Sequence, residues 1–285
     1  MIFFKIYFYL LFICFAFTSF KVETNSIDIA DNEAFINKIF ETVDKVSTLR
    51  YELKCNERIK GKMVHSESKV KLQIAPRKLY ISVNGPEVLW IEGKNNGNAY
   101  VNPGAFPYIN LNLDPNGQIM RKDQHHTINE MGFHYLADIL KDGKQKVGDK
   151  LDKHFKIIGE EKFNGRACYK LSIAFPEFAW VNYKIKKGED LVSIARRLRL
   201  SEFMIMERNP VISWYDDVKE GQTIQIPNAY GKLTILMIDK EYMLPVSNFV
   251  FDDLGIFETY EYYNMKINTP ILPEEFTKSY KDYNF

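Results

Sequence analysis

The chain has 285 residues, with 38 Lys plus Arg against 37 Asp plus Glu, a formal net charge of +1. With no basic block, it lacks the concentrated positive surface that phosphate backbones require, so nucleic acid is not expected as a partner. Its 17 Tyr and 21 Phe favour β structure around an apolar interior, and the length allows one large domain or two smaller ones.

The first twenty residues, MIFFKIYFYLLFICFAFTSF, carry a single Lys5 and then an apolar run from Ile6 to Phe17. That is the order of a secretory signal, with an exit near Ala16, Phe17 and Thr18. The run is short for a span of about 20 residues, so export with cleavage is the reading taken for residues 1–20. Export leaves Cys55 and Cys168, which either pair as a disulfide or sit apart as two buried thiols.

Next, Phe35, Ile36, Ile39, Phe40, Val43 and Val46 recur at helical spacing behind a capping Asp31 or Asn32, predicting an amphipathic helix. From Leu49 to Gly117 short alternating runs, punctuated by Asn-Gly and Pro-Gly, predict an antiparallel meander. A second helix is expected over residues 126–143, with Ile128, Met131, Leu136, Ile139 and Leu140 on its apolar side. Strands resume in a hairpin turning at Asn164-Gly165. After residue 230 two or three more follow, and the chain ends in a short polar and aromatic tail, 277–285.

Between these strands lies YKIKKGEDLVSIARRLRLSEFMIMERNP, starting at Tyr183, and later GQTIQIP, Gly221 to Pro227. A strand, a Gly188 turn, an Asp190-capped helix, a Ser201-started helix and a closing strand make a βααβ unit. Its turns, caps and apolar spacing, with Asn209 after the second helix, resemble the LysM family over 182–229. That resemblance implies binding of peptidoglycan or a related N-acetylglucosamine glycan. The implied groove has Gly188, Glu189, Asp190 and Leu191 on one side and Asn209, Pro210, Val211 and Ile212 on the other, with Trp214 or Tyr215 available to stack on a sugar. Gly188, Leu191 and Asn209 are equally what turns and core demand.

The remainder, with its ERIKGK turn, VLWIEGKNNG and HTINEMGF, resembles DUF1571, a family of exported bacterial proteins, and its closing strands have the rhythm of LolA- and LolB-like carriers. The fold class expected is therefore α+β: a curved antiparallel LolA-like half-barrel with packed helices, in two segments, 27–181 and 230–276, with the LysM unit hanging from the edge of one hairpin. Carriers of this type hold acyl chains, which implies a lipid or lipoprotein partner. Of the apolar strand residues Leu72, Ile74, Tyr80, Ile81, Leu89, Trp90 and Ile91, most are expected in a closed core.

No catalytic constellation is read from the sequence. Glu160 and Glu161 are strand neighbours pointing to opposite faces, Cys55 has no hydrolase signature around it, and no nucleophile-elbow, zinc-protease or phosphate-loop motif occurs. His125, His126 and His134 lack a ligand spacing and are expected as surface or capping residues. The expectation is a non-catalytic protein without metal or cofactor, in the periplasm of a Gram-negative bacterium. The alternatives are a peptidoglycan-modifying enzyme that uses LysM for targeting, or a protein-interaction module.

Overall fold

The computed structural model describes residues 31–285; the expected signal lies outside the described residues. Helix α1 (Asn32–Asp44) starts at Asp31, whose carboxylate accepts the Ala34 amide at 2.9 Å. Strands β1 (Thr48–Ile59), β2 (Lys62–Gln73), β3 (Lys78–Val83), β4 (Glu87–Ile91), β5 (Ala99–Asn102) and β6 (Leu111–Leu113) form the meander, each antiparallel to the one before. Helices α2 (Gln118–Arg121), α3 (His134–Val147) and α4 (Leu151–His154) follow. Then β7 (Phe155–Phe163) and β8 (Arg166–Ala174) turn at Asn164-Gly165, with φ of 47° and 79°, as a two-residue hairpin turn requires.

The chain now leaves the sheet to make β9 (Trp180–Lys184), α5 (Leu191–Leu198), α6 (Glu202–Arg208) and β10 (Thr223–Pro227). It returns as β11 (Leu233–Asp239), β12 (Pro245–Asp252) and β13 (Gly255–Ile267). The eleven-stranded sheet runs β6-β5-β4-β3-β2-β1-β13-β12-β11-β8-β7, all antiparallel and unclosed, while β9 and β10 form a sheet of their own. Because β8 pairs directly with β11, Ala174 opposite Leu233, the insert leaves and re-enters between neighbouring strands. Its ends are therefore close, the condition for accepting an inserted unit.

Period-two alternation divides the apolar strand residues between two faces. Leu72, Leu79, Ile81 and Val88 are buried under the helices, with Ile74 and Trp90 packed against them. Tyr80 and Leu89 face the other way, with Ile91 beside them, under Phe276, Tyr283 and Phe285. The C-terminal segment is thus no loose tail: Tyr283 stacks on Tyr80 at 3.7 Å between centroids, and Asn284 donates to the Glu87 carboxylate at 2.8 and 2.9 Å.

Two other expectations are corrected, and the choice left open at the two cysteines is decided. The second helix is not continuous from 126: the Glu130 carboxylate turns back to the Thr127 amide at 3.1 Å, closing a 3-10 turn, Ile128–Glu130. Gly132, at φ +94°, then redirects the chain, and a Cβ there would sit 2.8 Å from Leu72 Cδ2. Cys55 and Cys168 are free thiols. They lie on β1 and β8, with three strands between, roughly 19 Å across at the usual strand spacing, far beyond disulfide reach. Finally, the insert does not hang from the sheet edge. Phe203 and Met204 of α6 are buried against Ile59, Val250 and Phe257 of the half-barrel, and Glu202 forms a buried ion pair with Arg121 at 2.6 Å.

Candidate functional site

The insert's loops are built by local chemistry. Gly188 takes φ +77° with nothing near its Cβ position, so glycine is there for the turn. The Glu189 carboxylate accepts the Lys186 amide at 2.9 Å, the Tyr183 hydroxyl at 2.8 Å and Arg197 at 2.7 Å. Asp190 and Ser193 cap α5 reciprocally, at 2.6 and 2.9 Å. The amide of the fully buried Leu191 donates to the Tyr215 carbonyl at 2.9 Å, tying the loop before α5 to the loop after α6.

On the second side, Asn209 is consumed by structure. Its amide donates to the Ile205 and Gln225 carbonyls at 2.7 and 2.8 Å, and its oxygen accepts the Gln225 amide at 2.9 Å. Ile212 is in the insert's core. Of the eight expected groove residues, Gly188, Pro210 and Val211 are exposed, Val211 by 81 %. Tyr215 is buried beneath the Arg121 guanidinium, 4.0 Å from its ring centre, so it cannot stack on a sugar. Trp214 is half-buried.

The half-barrel holds a second arrangement that the sequence reading missed. His125 is 2 % exposed, not a surface residue. Its Nδ1 lies 2.8 Å from Glu258 and its Nε2 3.1 Å from the Arg58 carbonyl. His126 sits between Glu130, at 3.0 Å, and Glu258, at 3.4 Å, and Tyr230 donates to Glu258 at 2.9 Å. Burial alone would suppress the charge on His126, but Glu258 and Glu130 hold its pKa well above the usual range. Burial likewise pushes Glu258 upward, and the facing His126 charge and the His125 bond overcome it, leaving Glu258 below the usual carboxylate range.

This cluster borders a cavity of ≈ 80 Å³ between the sheet and α3, whose apolar side is formed by Leu53, Leu136, Leu140 and Val250. Tyr51 Oη and Asn248 Oδ1, both lining it, are buried without a hydrogen-bond partner. The thiol of Cys55 is pushed up to about 11 by burial first and by Glu57 second, which leaves it protonated and inert as a nucleophile near neutral pH.

An open antiparallel half-barrel with helices on one face and a βααβ unit in one hairpin defines the α+β class expected above. Residues 46–186 match the family model described as a protein of unknown function, DUF1571, and residues 183–227 match the LysM domain. The DUF1571 match thus covers the strands before the insert and the LysM match covers the insert itself, while β11–β13, beyond both matches, complete the sheet. No curated protein matches the sequence.

Among solved structures the chain is similar to lipoprotein LppX of Mycobacterium tuberculosis, at 11% identity over 84% of this chain and 96% of that one, TM-score 0.41. A putative outer membrane lipoprotein-sorting protein domain from Vibrio parahaemolyticus matches at 10% identity over 87% and 98%, TM-score 0.32. A LolA superfamily protein from Nitrosomonas europaea matches at 9% identity over 85% and 97%, TM-score 0.29.

Proposed function

We propose that this is an exported, non-catalytic envelope protein of the Gram-negative periplasm. Its LysM unit, 182–229, fastens it to peptidoglycan or a related N-acetylglucosamine glycan, and its half-barrel, 27–181 with 230–276, holds a lipid or lipoprotein acyl chain. The observation carrying the first part is the LysM match over 183–227, together with the exposed Gly188 and Pro210-Val211 on the two loops that the Leu191–Tyr215 bond joins. Loop amides and carbonyls there can meet an acetamido group, and Val211 can meet its methyl. Among the described residues no helix is long and apolar enough to cross a membrane.

The test is co-sedimentation of the signal-less protein with purified sacculi, beside Val211→Glu. Substitution at so exposed a position leaves the fold intact. Sacculus binding by the parent chain, weakened roughly tenfold in the variant, as loss of one apolar contact and gain of a charge implies, is the expected result. Undiminished binding by the variant removes the groove from the reading.

For the half-barrel, the ≈ 80 Å³ cavity is smaller than the roughly 300 Å³ at which ligand pockets begin. Loading an acyl chain therefore requires α3 to lift from the sheet. The unpartnered Tyr51 and Asn248 oxygens would then meet a polar head beside an apolar chain. Organic extraction of the purified protein followed by mass spectrometry, together with titration of an apolar fluorophore, tests this: no lipid and no probe binding refute it. The enzyme alternative would draw on His126, Glu258 and Tyr230, but a cavity of this size admits no disaccharide, and the binding reading is preferred.

A further inference from the structure

A separate cleft of ≈ 880 Å³ opens between the insert and the half-barrel, well within the range of ligand sites. Both units build it. The half-barrel supplies Lys60 from the start of the β1–β2 turn and Lys122 after α2. The insert supplies Arg208 from the end of α6, and Pro210, Ile212 and Trp214 from the loop beyond. Trp180, where the insert begins, forms part of the wall, its indole N–H fixed on Asp253 at 3.0 Å. Pro210 and Ile212 belong also to the expected glycan groove, so groove and cleft are continuous.

The lining is positively biased. Arg58, Lys60, Arg121, Lys122 and Arg208 face Asp123, Glu207 and Asp252. Two of these cations are already neutralised: Arg58 donates to Asp252 and Arg121 to Glu202. Glu207 accepts the Lys60 amide, and Lys60 Nζ lies 3.8 Å from Asp123. Among the described residues Lys122 and Arg208 have no carboxylate partner. Both are exposed, and the Arg208 guanidinium lies 4.7 Å over the Trp180 ring. Two indoles beside unpaired cations suit a sugar with a carboxylate-bearing branch: the ring faces offer apolar contact, and the cations offer charge-assisted hydrogen bonds.

Building on the glycan-binding reading above, we propose that this cleft binds the carboxylate-bearing part of a wall glycan, the amino sugar together with the short peptide amide-linked to its lactyl group, whose free carboxylates meet the cations. The half-barrel thereby makes the protein prefer charged glycan over neutral chitin-like chains.

The signal-less protein is titrated calorimetrically with two probes, neutral chitotetraose and a disaccharide tetrapeptide (N-acetylglucosaminyl-N-acetylmuramyl). The carboxylated probe should bind roughly tenfold tighter at low salt, an advantage that shrinks as added salt screens the cations. Lys122→Glu, alone and with Arg208→Glu, should remove that advantage while leaving chitotetraose affinity unchanged. Since Lys122 belongs to the half-barrel and touches no carboxylate, its effect separates the cleft from the LysM groove. Equal affinities for the two probes, or an advantage that survives both reversals, overturn the proposal while the glycan reading stands. Binding of neither probe overturns both.

Discussion

The insert and the half-barrel bury their apolar surface by opposite routes. The insert's core runs only from Ile185 to Ile226, closed by turns and caps a few residues long. The half-barrel's core gathers residues from Phe35 to Tyr260, and its sheet is joined where β1 meets β13, Leu49 opposite Ile267. One is a local fold that can form early; the other pays the full loop-closure entropy before its contacts form. Where they meet, the joint is not purely apolar but contains the Arg121–Glu202 pair, 3 % and 2 % exposed. The insert is therefore held in a fixed position, and a ligand spanning the cleft meets a preformed wall on each side.

Breaking that joint should have the largest effect. Glu202→Ala leaves the Arg121 guanidinium buried without a counter-charge, and should cost about 3–5 kcal/mol in denaturant unfolding. Replacing both partners, Arg121→Met with Glu202→Leu, should restore most of that loss, because no buried charge is then orphaned. A double variant as unstable as the single one would mean that the pair itself, not the orphaned charge, sets the stability.

Next in size is the half-barrel's second covering. Tyr283→Ala removes the ring stacked on Tyr80 and should cost about 3 kcal/mol. It should lower the half-barrel's melting temperature without altering glycan binding by the insert. Acid provides a smaller test on the same face. Glu275 accepts Arg50 at 2.6 and 2.7 Å and Lys71 at 2.8 Å, and these bonds pull its pKa down to about 2. Its folded-state pKa lies below the unfolded one, so its stabilisation is complete above the unfolded value near ~4.5 and disappears as pH falls through that value towards ~2. Chemical unfolding across this window should show a loss of about 2 kcal/mol that Glu275→Gln abolishes. His126 acts at the other end: its pKa is raised despite burial, so its contribution is complete below ~6.5 and is lost as pH rises through the folded value.

How much of this could be read from the chain follows the same division. In the insert, Gly188, Asp190, Ser201 and Gly221 each fix a turn or cap within a few residues, and the βααβ order was legible from them. The meander was legible from its alternation, yet alternation alone could not say that Leu79 and Ile81 turn to the helices and Tyr80 to the tail, because the covering segment lies some two hundred residues away in sequence. The polar cluster was hidden for the same reason: His126, Tyr230 and Glu258 converge from distant stretches of the chain. Sequence could not tell that Asn209 and Ile212, two of the expected groove residues, were already committed to the fold. Nor could it show that α6 would present Phe203 and Met204 to the half-barrel.

The smallest effect isolates the insert most cleanly. Asp190 accepts the Ser193 amide at 2.6 Å and its own amide donates to Ser193 Oγ at 2.9 Å, so Asp190→Ala removes one half of a reciprocal cap and should cost about 1 kcal/mol. The loss should fall on α5 and on the Leu191 amide that joins the two groove loops, and not on the eleven-stranded sheet. Hydrogen exchange would resolve this: faster exchange confined to residues 189–198, with β1 and β13 unchanged, is the outcome expected of a locally closed unit. Faster exchange spreading into β8 and β11 would mean that the insert's first helix also braces the hairpin from which it departs, and that the two routes of burial are energetically one.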